Sequence, residues 1–234
     1  MKTINHTPAN RLISAVAAAT LCVAIVGTAR ADEGDTPKSN HFSWNFNFDF
    51  GNSASYGSNR TKGSGVMKEE ARTVANFSRL VLALPATVTL TQGSTESLTI
   101  TSDDNLLPLV ATRVEGGELT IDADKSRGFS SKREIKIRLS VISLNGITIK
   151  GSGDVYAAGI ADKVDVEIMG SGDVRARKLV AREAAVKIAA SGDAEVHARE
   201  KLTASVSGSG EVRYAGSPAN VSKTVRGSGS VEPL

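Results

Sequence analysis

Cysteine, histidine and aromatic side chains are scarce in this sequence of 234 residues. The single cysteine, Cys22, lies in an apolar stretch near the start of the chain. Removal of that stretch, which is predicted below, excludes disulfide bonds, thiolate catalysis and cysteine metal sites. Beyond residue 66 the aromatic side chains are Phe77, Phe129, Tyr156 and Tyr214. This scarcity argues against a long sugar-binding groove built from aromatic platforms.

The first 31 residues have the layout of a secretory signal peptide. Lys2 and Arg11 lie in a start without acidic residues, and the run Leu12 to Val26 is almost wholly apolar. Ala29-Arg30-Ala31 then places small residues where a signal peptidase recognises them. The apolar run has about 15 residues, fewer than the roughly 20 that a membrane-spanning helix needs. We therefore predict a signal peptide over residues 1–31, cleaved after Ala31.

The net charge changes when the predicted signal peptide is removed. The whole chain has 28 basic and 25 acidic residues, a net charge of +3, and residues 1–31 contain three basic residues and no acidic one. The remaining chain thus has 25 of each sign, which gives no support for a nucleic-acid partner. No later stretch is long and apolar enough to span a bilayer, so we expect no transmembrane segment in the mature chain.

Residues 32–65 read as a linker rich in Gly, Ser and Asn that carries one aromatic segment. From Phe42 to Phe50, four Phe and the only Trp alternate with polar residues. This period of two is typical of a strand with one aromatic face. The segment is interpreted either as an edge strand or cap laid over the main domain or as an adhesive surface for a partner, glycan or lipid, and its role stays open.

A pentapeptide with central Ser-Gly recurs five times in the second half of the chain. The copies begin 19, 20, 18 and 19 residues apart, which is a strong signal of a repeat architecture. The central glycine is present in every copy, so we expect a bend that requires positive φ or leaves no room for a side chain. The copies are Gly151–Val155, Gly170–Val174, Ala190–Ala194, Gly208–Val212 and Gly227–Val231.

Apolar residues flank each copy at equivalent positions. Stacked repeats would place equivalent strands side by side, about 4.8 Å apart, with like residues in ladders. We therefore predict an all-β fold, a β-helix or solenoid-like stack of short strands with a repeat of about 19 residues. A meander of antiparallel hairpins is the main alternative, but it does not require such identity between copies. The residues expected in the inner ladder are Ile149, Ile168, Ile188, Val206 and Val225.

The first half of the domain also alternates in the manner of strands. Val88–Leu90, Leu98–Ile100 and Ile135–Leu139 have period two, and glycine-containing turns separate such segments. No amphipathic helix of normal length follows residue 66. The sequence therefore predicts one β domain over residues 66–234, preceded by the flexible region at 32–65.

The ordered motifs of this domain resemble the putative auto-transporter adhesin head GIN domain family. The resemblance covers residues 63–232 and implies an exported bacterial protein with a β-helix-like, all-β fold. It supplies no catalytic or ligand-binding residues. The motifs that carry it are Phe77–Val81, Val88–Gly93, Asp104–Pro108 and Gly117–Ile121, followed by the Gly-Ser-Gly-Asp-Val repeats.

Side chains that carry chemistry form no local catalytic signature. Beyond the leader the histidines are His41 and His197, and neither has the partners of a catalytic triad nearby in sequence. No cluster has zinc spacing, and the glycine motifs precede strands rather than a helix that could hold phosphate. We assign no catalytic, cofactor-binding or metal residue and predict that the chain is not an enzyme.

The fourth position of the pentapeptide forms a column of carboxylates in the predicted stack. Because stacked carboxylates repel one another, a calcium counter-ion is one interpretation. The other is that each side chain accepts N–H hydrogen bonds in its own turn and needs no metal. We predict that calcium is not required, although the sequence leaves ion binding open. The column is Asp154, Asp173, Asp193 and Glu211.

Two functional classes follow from these observations. The first is an exported structural or adhesive module of the cell envelope that binds an unknown protein or glycan, in the periplasm, at the cell surface or outside the cell. The second is a carbohydrate-active enzyme on a β-helix scaffold, which the scarcity of aromatic residues disfavours. The sequence does not specify the partner or the oligomeric state.

Overall fold

A computed structural model describes residues 60–123 and 128–234. Over these ranges the chain forms β-strands, with one turn of 3-10 helix at Leu107–Leu109, so the all-β prediction is confirmed. The predicted signal peptide at 1–31 and the aromatic segment from Phe42 to Phe50 lie outside the described residues. Within the described ranges, no helix is long and apolar enough to cross a membrane.

The strands that precede the repeats are short. The repeats contain three long strands followed by three shorter ones. The short strands that precede the repeats are β1 (Thr61–Lys62), β2 (Met67–Arg72), β3 (Arg79–Ala83), β4 (Ala86–Gln92), β5 (Ser97–Asp103), β6 (Val110–Glu115), β7 (Glu118–Ala123), β8 (Phe129–Ser130), β9 (Ile135–Val141) and β10 (Gly146–Ile149). The repeats contain β11 (Asp154–Ile168), β12 (Val174–Ile188), β13 (Ala194–Gly208), β14 (Glu211–Ala215), β15 (Asn220–Gly227) and β16 (Ser230–Pro233).

The strands pair in two mainly parallel ladders that share the three long strands. The first ladder has the order β6-β7-β3-β10-β11-β12-β13-β15, through the C-terminal halves of the long strands. The second has the order β2-β5-β9-β4-β11-β12-β13-β14-β16, through their N-terminal halves. The antiparallel pairs β2/β5, β5/β9 and β6/β7 lie at the start of the stack. Each repeat is therefore one coil that contributes a strand to each ladder.

Equivalent residues of successive repeats pair directly, as the spacing of the pentapeptides predicts. Ile149 pairs with Ile168, which pairs with Ile188, and that residue pairs with Val206. All four are fully buried. Burying a side chain of this kind stabilises a fold by about 1.5–3 kcal/mol, so this ladder is a major part of the core.

The inner ladder continues in register to Val225 in the last coil, but that residue is not buried, which corrects the expectation that it lies inside. Val225 continues the register from Val206 but is 42% exposed, because β15 ends the first ladder and no further coil covers it within the described residues. Lys223 takes the next inward register position, after the buried Ala204. Its ammonium group donates to the carbonyl of Val231 at 2.9 Å and lies 5.0 Å from the ring centroid of Tyr214. A polar residue thus closes the core at this end.

The bends are tight because successive coils touch through their backbones. None of the central glycines has positive φ. A Cβ on Gly153 would lie 2.6 Å from the carbonyl oxygen of Leu84, and one on Gly172 would overlap that of Gly153. Of the two explanations for the central glycine, lack of room is therefore the correct one.

Residues 60–65, which the sequence placed in the linker, contact the folded domain. β1 pairs with β8, and the N–H of Gly65 donates to the carboxylate of Asp103 at 3.0 Å. The hydroxyl of Ser131 donates to the same buried carboxylate at 2.6 Å. These contacts join the segment just before β2 to the folded strands.

Candidate functional site

The carboxylate column lies along the bends, where each side chain reaches the next coil. The carboxylate of Asp154 accepts the N–H of Asp173 at 3.0 Å, and that of Asp173 accepts the N–H of Asp193, also at 3.0 Å. The carboxylate of Asp193 accepts the N–H of Glu211 at 2.8 Å. The sequence placed these bonds within each turn, whereas in the structure they join successive turns. The column therefore links one coil to the next.

Arginines beside the column supply opposite charge. A guanidinium nitrogen of Arg175 lies 3.1 Å from the carboxylate of Asp173, and one of Arg213 lies 3.8 Å from that of Glu211. In the two described ranges, no group of three or more His, Cys, Asp or Glu side chains is arranged to hold a metal ion. The column residues thus have protein partners for part of their charge.

An outward-facing row on the second ladder places aromatic and charged side chains at strand spacing. Tyr156 pairs with Arg175, Arg175 with Glu195, and Glu195 with Arg213. Arg175 donates to the hydroxyl of Tyr156 at 2.6 Å, and its guanidinium carbon lies 5.3 Å from the ring centroid. Arg213 forms an ion pair with Glu195 at 2.9 Å. We call these four residues the outer row.

The neighbours of Arg175 raise the pKa of its guanidinium group. Desolvation alone would lower the pKa of Arg175, but the nearby side chains of Tyr156 and Asp173 outweigh it, so that the pKa is raised. Since the arginine is held by both the ring and the carboxylate, its position on the surface is restricted. An ordered arginine stacked on tyrosine is a common component of binding surfaces.

A groove of about 420 Å³ lies beside the outer row. It forms where β11 and β12 lose register: Tyr156 pairs with Arg175, 19 positions later, whereas Ala158 pairs with Lys178, 20 positions later. β12 therefore has one extra residue between these pairs, which is a β-bulge. Small Ala157 and Ala158 form part of the lining, together with Tyr156, Arg177 and Lys178. We call this feature the bulge groove.

The bulge groove is not evident from the sequence, although the spacing of the repeats contains a signal for it. The copies beginning at Gly170 and Ala190 are 20 residues apart rather than 19. The extra residue of that repeat is the one at the bulge. The spacing shows that this repeat has one extra residue, but it does not show where in the repeat that residue lies.

An ion-pair network lies near the middle of the three long strands. The guanidinium of Arg182 contacts Asp162 at 2.6 Å, Glu183 at 2.8 Å and Glu200 at 3.1 Å. The hydrogen bond from Arg182, together with its charge, lowers the pKa of Asp162. The same partners raise the pKa of Arg182. The group is exposed, so these ion pairs between three successive coils are expected to contribute little to stability.

Of the two histidines that were considered as catalytic bases, the structure describes His197. His197 is half-buried on β13, at the register position of Val180. His41 lies outside the described residues. In the part of the chain that the structure describes, the outer row and the adjoining bulge groove form a candidate binding surface.

The fold resembles that of solved bacterial proteins. The putative adhesin BF0245 from Bacteroides fragilis has 24% identity and a TM-score of 0.51, over 74% of this chain and 99% of that one. A putative adhesin from Parabacteroides merdae has 20% identity and a TM-score of 0.38, over 75% and 99% of the two chains. A putative lipid binding protein from Parabacteroides distasonis has 24% identity and a TM-score of 0.37, over the same shares.

The sequence itself matches a family model twice. No curated protein is significantly similar to this chain. The model for the putative auto-transporter adhesin, head GIN domain, matches residues 76–156 and 147–218. These matches include the start of the stack, the column, the outer row and the bulge groove. The chain therefore belongs to the putative auto-transporter adhesin, head GIN domain family.

Proposed function

We propose that this chain is an exported, non-catalytic module of the cell envelope that binds a protein or glycan through the outer face of its second ladder. The observation that carries the proposal is the outer row. Tyr156, Arg175 and Arg213 project from strands whose inner faces are fully buried, so a stable core supports the surface. Tyrosine and arginine are enriched where proteins bind partners.

The predicted secretory leader and the adhesin description of the family support an envelope location. Both agree with a molecule that presents an extended surface rather than a closed active site. The column carboxylates support a structural role, because their oxygens accept backbone N–H groups of adjacent coils. A carbohydrate-active enzyme is the competing function, and it would differ from a binding module by shortening a bound polysaccharide.

Two measurements on the mature chain test the proposal. Fractionation of the native cell with an antibody should find the protein in the periplasm, on the surface or in the medium. The purified chain, spotted against envelope proteins and polysaccharides, should be retained by at least one class without shortening any polysaccharide. A cytoplasmic location, absence of binding to every class, or depolymerisation of a bound polysaccharide would each contradict the proposal.

A further inference from the structure

The bulge groove has charge that the protein itself does not compensate. Of its charged lining residues, Arg175 is paired with Asp173, and Glu195 is paired with Arg213. Arg177 and Lys178 are exposed neighbours at the bulge and have no ion pair within residues 60–123 and 128–234. The groove therefore presents two free cations, although the charge of the mature chain as a whole is balanced.

The walls of the groove are suited to a compact polar ligand with an apolar face. Tyr156 is 41% exposed, and its hydroxyl, which accepts a hydrogen bond from Arg175, still has a proton to donate. Thr89 and Thr91 add hydroxyl groups from β4, and Ala158 leaves space at the floor. The volume of about 420 Å³ falls within the roughly 300–1,000 Å³ of typical small-ligand sites.

We infer that the bulge groove binds the carboxylate-bearing unit of an acidic saccharide. The carboxylate would lie at Arg177 and Lys178, because a guanidinium matches the planar geometry of a carboxylate and both groups donate charge-assisted hydrogen bonds. The sugar ring would lie against Tyr156, whose aromatic face suits C–H groups and whose hydroxyl suits a polar edge. The threonine hydroxyls would meet the sugar hydroxyls. This inference rests on the proposed binding function and names the ligand class.

Oligogalacturonate, which carries one carboxylate per sugar, is a suitable probe. A neutral galactan oligomer tests the need for the carboxylate, and poly-L-glutamate tests the need for the sugar. The variant R177Q/K178Q removes both free cations. The control K150Q/R226Q removes two exposed cations that do not line the groove, Lys150 directly after β10 and Arg226 in β15. Calorimetry with each probe, together with thermal unfolding of each variant, completes the set.

The mature chain is expected to bind oligogalacturonate and to bind both other probes at least about tenfold more weakly. R177Q/K178Q should lose about tenfold or more in affinity, since two charge-assisted hydrogen bonds are removed, with an unchanged melting temperature. K150Q/R226Q should bind as the parent does. Equal loss in both variants, equal binding of poly-L-glutamate, or no binding of oligogalacturonate would overturn the inference. A chain that fails here but is retained by another envelope component would leave the proposed function intact.

Discussion

The α-carbon of Gly172 lies directly against the carbonyl oxygen of Gly153 in the preceding coil, and a Cβ on Gly172 would overlap that oxygen. Gly192 has the same relation to Gly172, and Gly210 has it to Gly192. The obstacle is backbone, which cannot rotate away as a flexible side chain can. The spacing of the coils at the bends is therefore set by glycine against glycine.

Gly172→Ala is expected to destabilise the fold by about 1–3 kcal/mol, because the added methyl group must push two coils apart. Gly151→Ala is the matched control, since a Cβ there meets nothing within 4 Å and the residue has no positive φ. Thermal unfolding of both variants should show a lower melting temperature for the first alone. Equal melting temperatures would mean that the coils are not in contact at this bend.

The repeat half of the fold could be predicted from sequence because each coil places equivalent residues in register. The pattern of Ile149, Ile168 and Ile188 revealed the inner ladder without any structural information. Val225 pairs with Val206, as its local sequence predicts, but it is not buried, because burial depends on a following coil. Periodicity shows which way a side chain points, but not whether anything covers it.

Val206→Ala and Val225→Ala test this difference with the same chemical change in adjacent coils. Val206 is fully buried, so removing its two methyl groups should cost about 2 kcal/mol from lost burial and the cavity left behind. Val225 is 42% exposed, so Val225→Ala should lower the free energy of unfolding by well under half as much. Denaturant unfolding gives both values. Equal costs would indicate that β15 is covered in solution.

The bulge groove shows a second limit of sequence reasoning. The row of Tyr156, Arg175, Glu195 and Arg213 follows from the period once the register is known. Arg177 and Lys178, which have no ion pair in the part of the chain that the structure describes, lie beside Ala158 where the register of β12 shifts against β11. The length of a repeat records that an insertion exists, but hydrogen bonding between strands decides where it lies.

The stabilising effect of the Asp162–Arg182 ion pair is expected to depend on pH. Arg182 lowers the pKa of Asp162 in the folded chain, so the stabilising effect of the pair is present above the unfolded pKa of about 3.9. It is lost as the pH falls through the lower folded-state pKa. Carboxyl NMR should place the Asp162 midpoint below its ordinary value. Arg182→Met should return it toward that value, whereas Arg226→Gln should not; a midpoint unaffected by Arg182→Met would contradict the pairing.

The hydrogen bonds that the column carboxylates accept from the next coil are expected to stabilise the fold. The Asp173 carboxylate accepts the N–H of Asp193 at 3.0 Å and pairs with Arg175 at 3.1 Å. Asp173→Ala removes the acceptor and should cost about 1 kcal/mol. Asp173→Asn keeps a carbonyl oxygen that can accept the same N–H, so it should cost less. Unfolding free energies measured for the pair in chelator-treated buffer would reveal this order, and the reverse order would contradict the assigned bond.

The effect of calcium on the melting temperature distinguishes a column that hydrogen-bonds only to adjacent coils from one that binds an ion. A metal bound only by the folded chain would add about 2.7 kcal/mol at 100 times its dissociation constant. For a domain of this size that corresponds to a rise of roughly 5–10 °C in melting temperature. Since the oxygens of Asp154, Asp173 and Asp193 already accept backbone N–H groups, we expect equal melting temperatures in millimolar calcium and in chelator. A calcium-dependent rise of several degrees that disappears in Asp173→Asn would instead make the column an ion site.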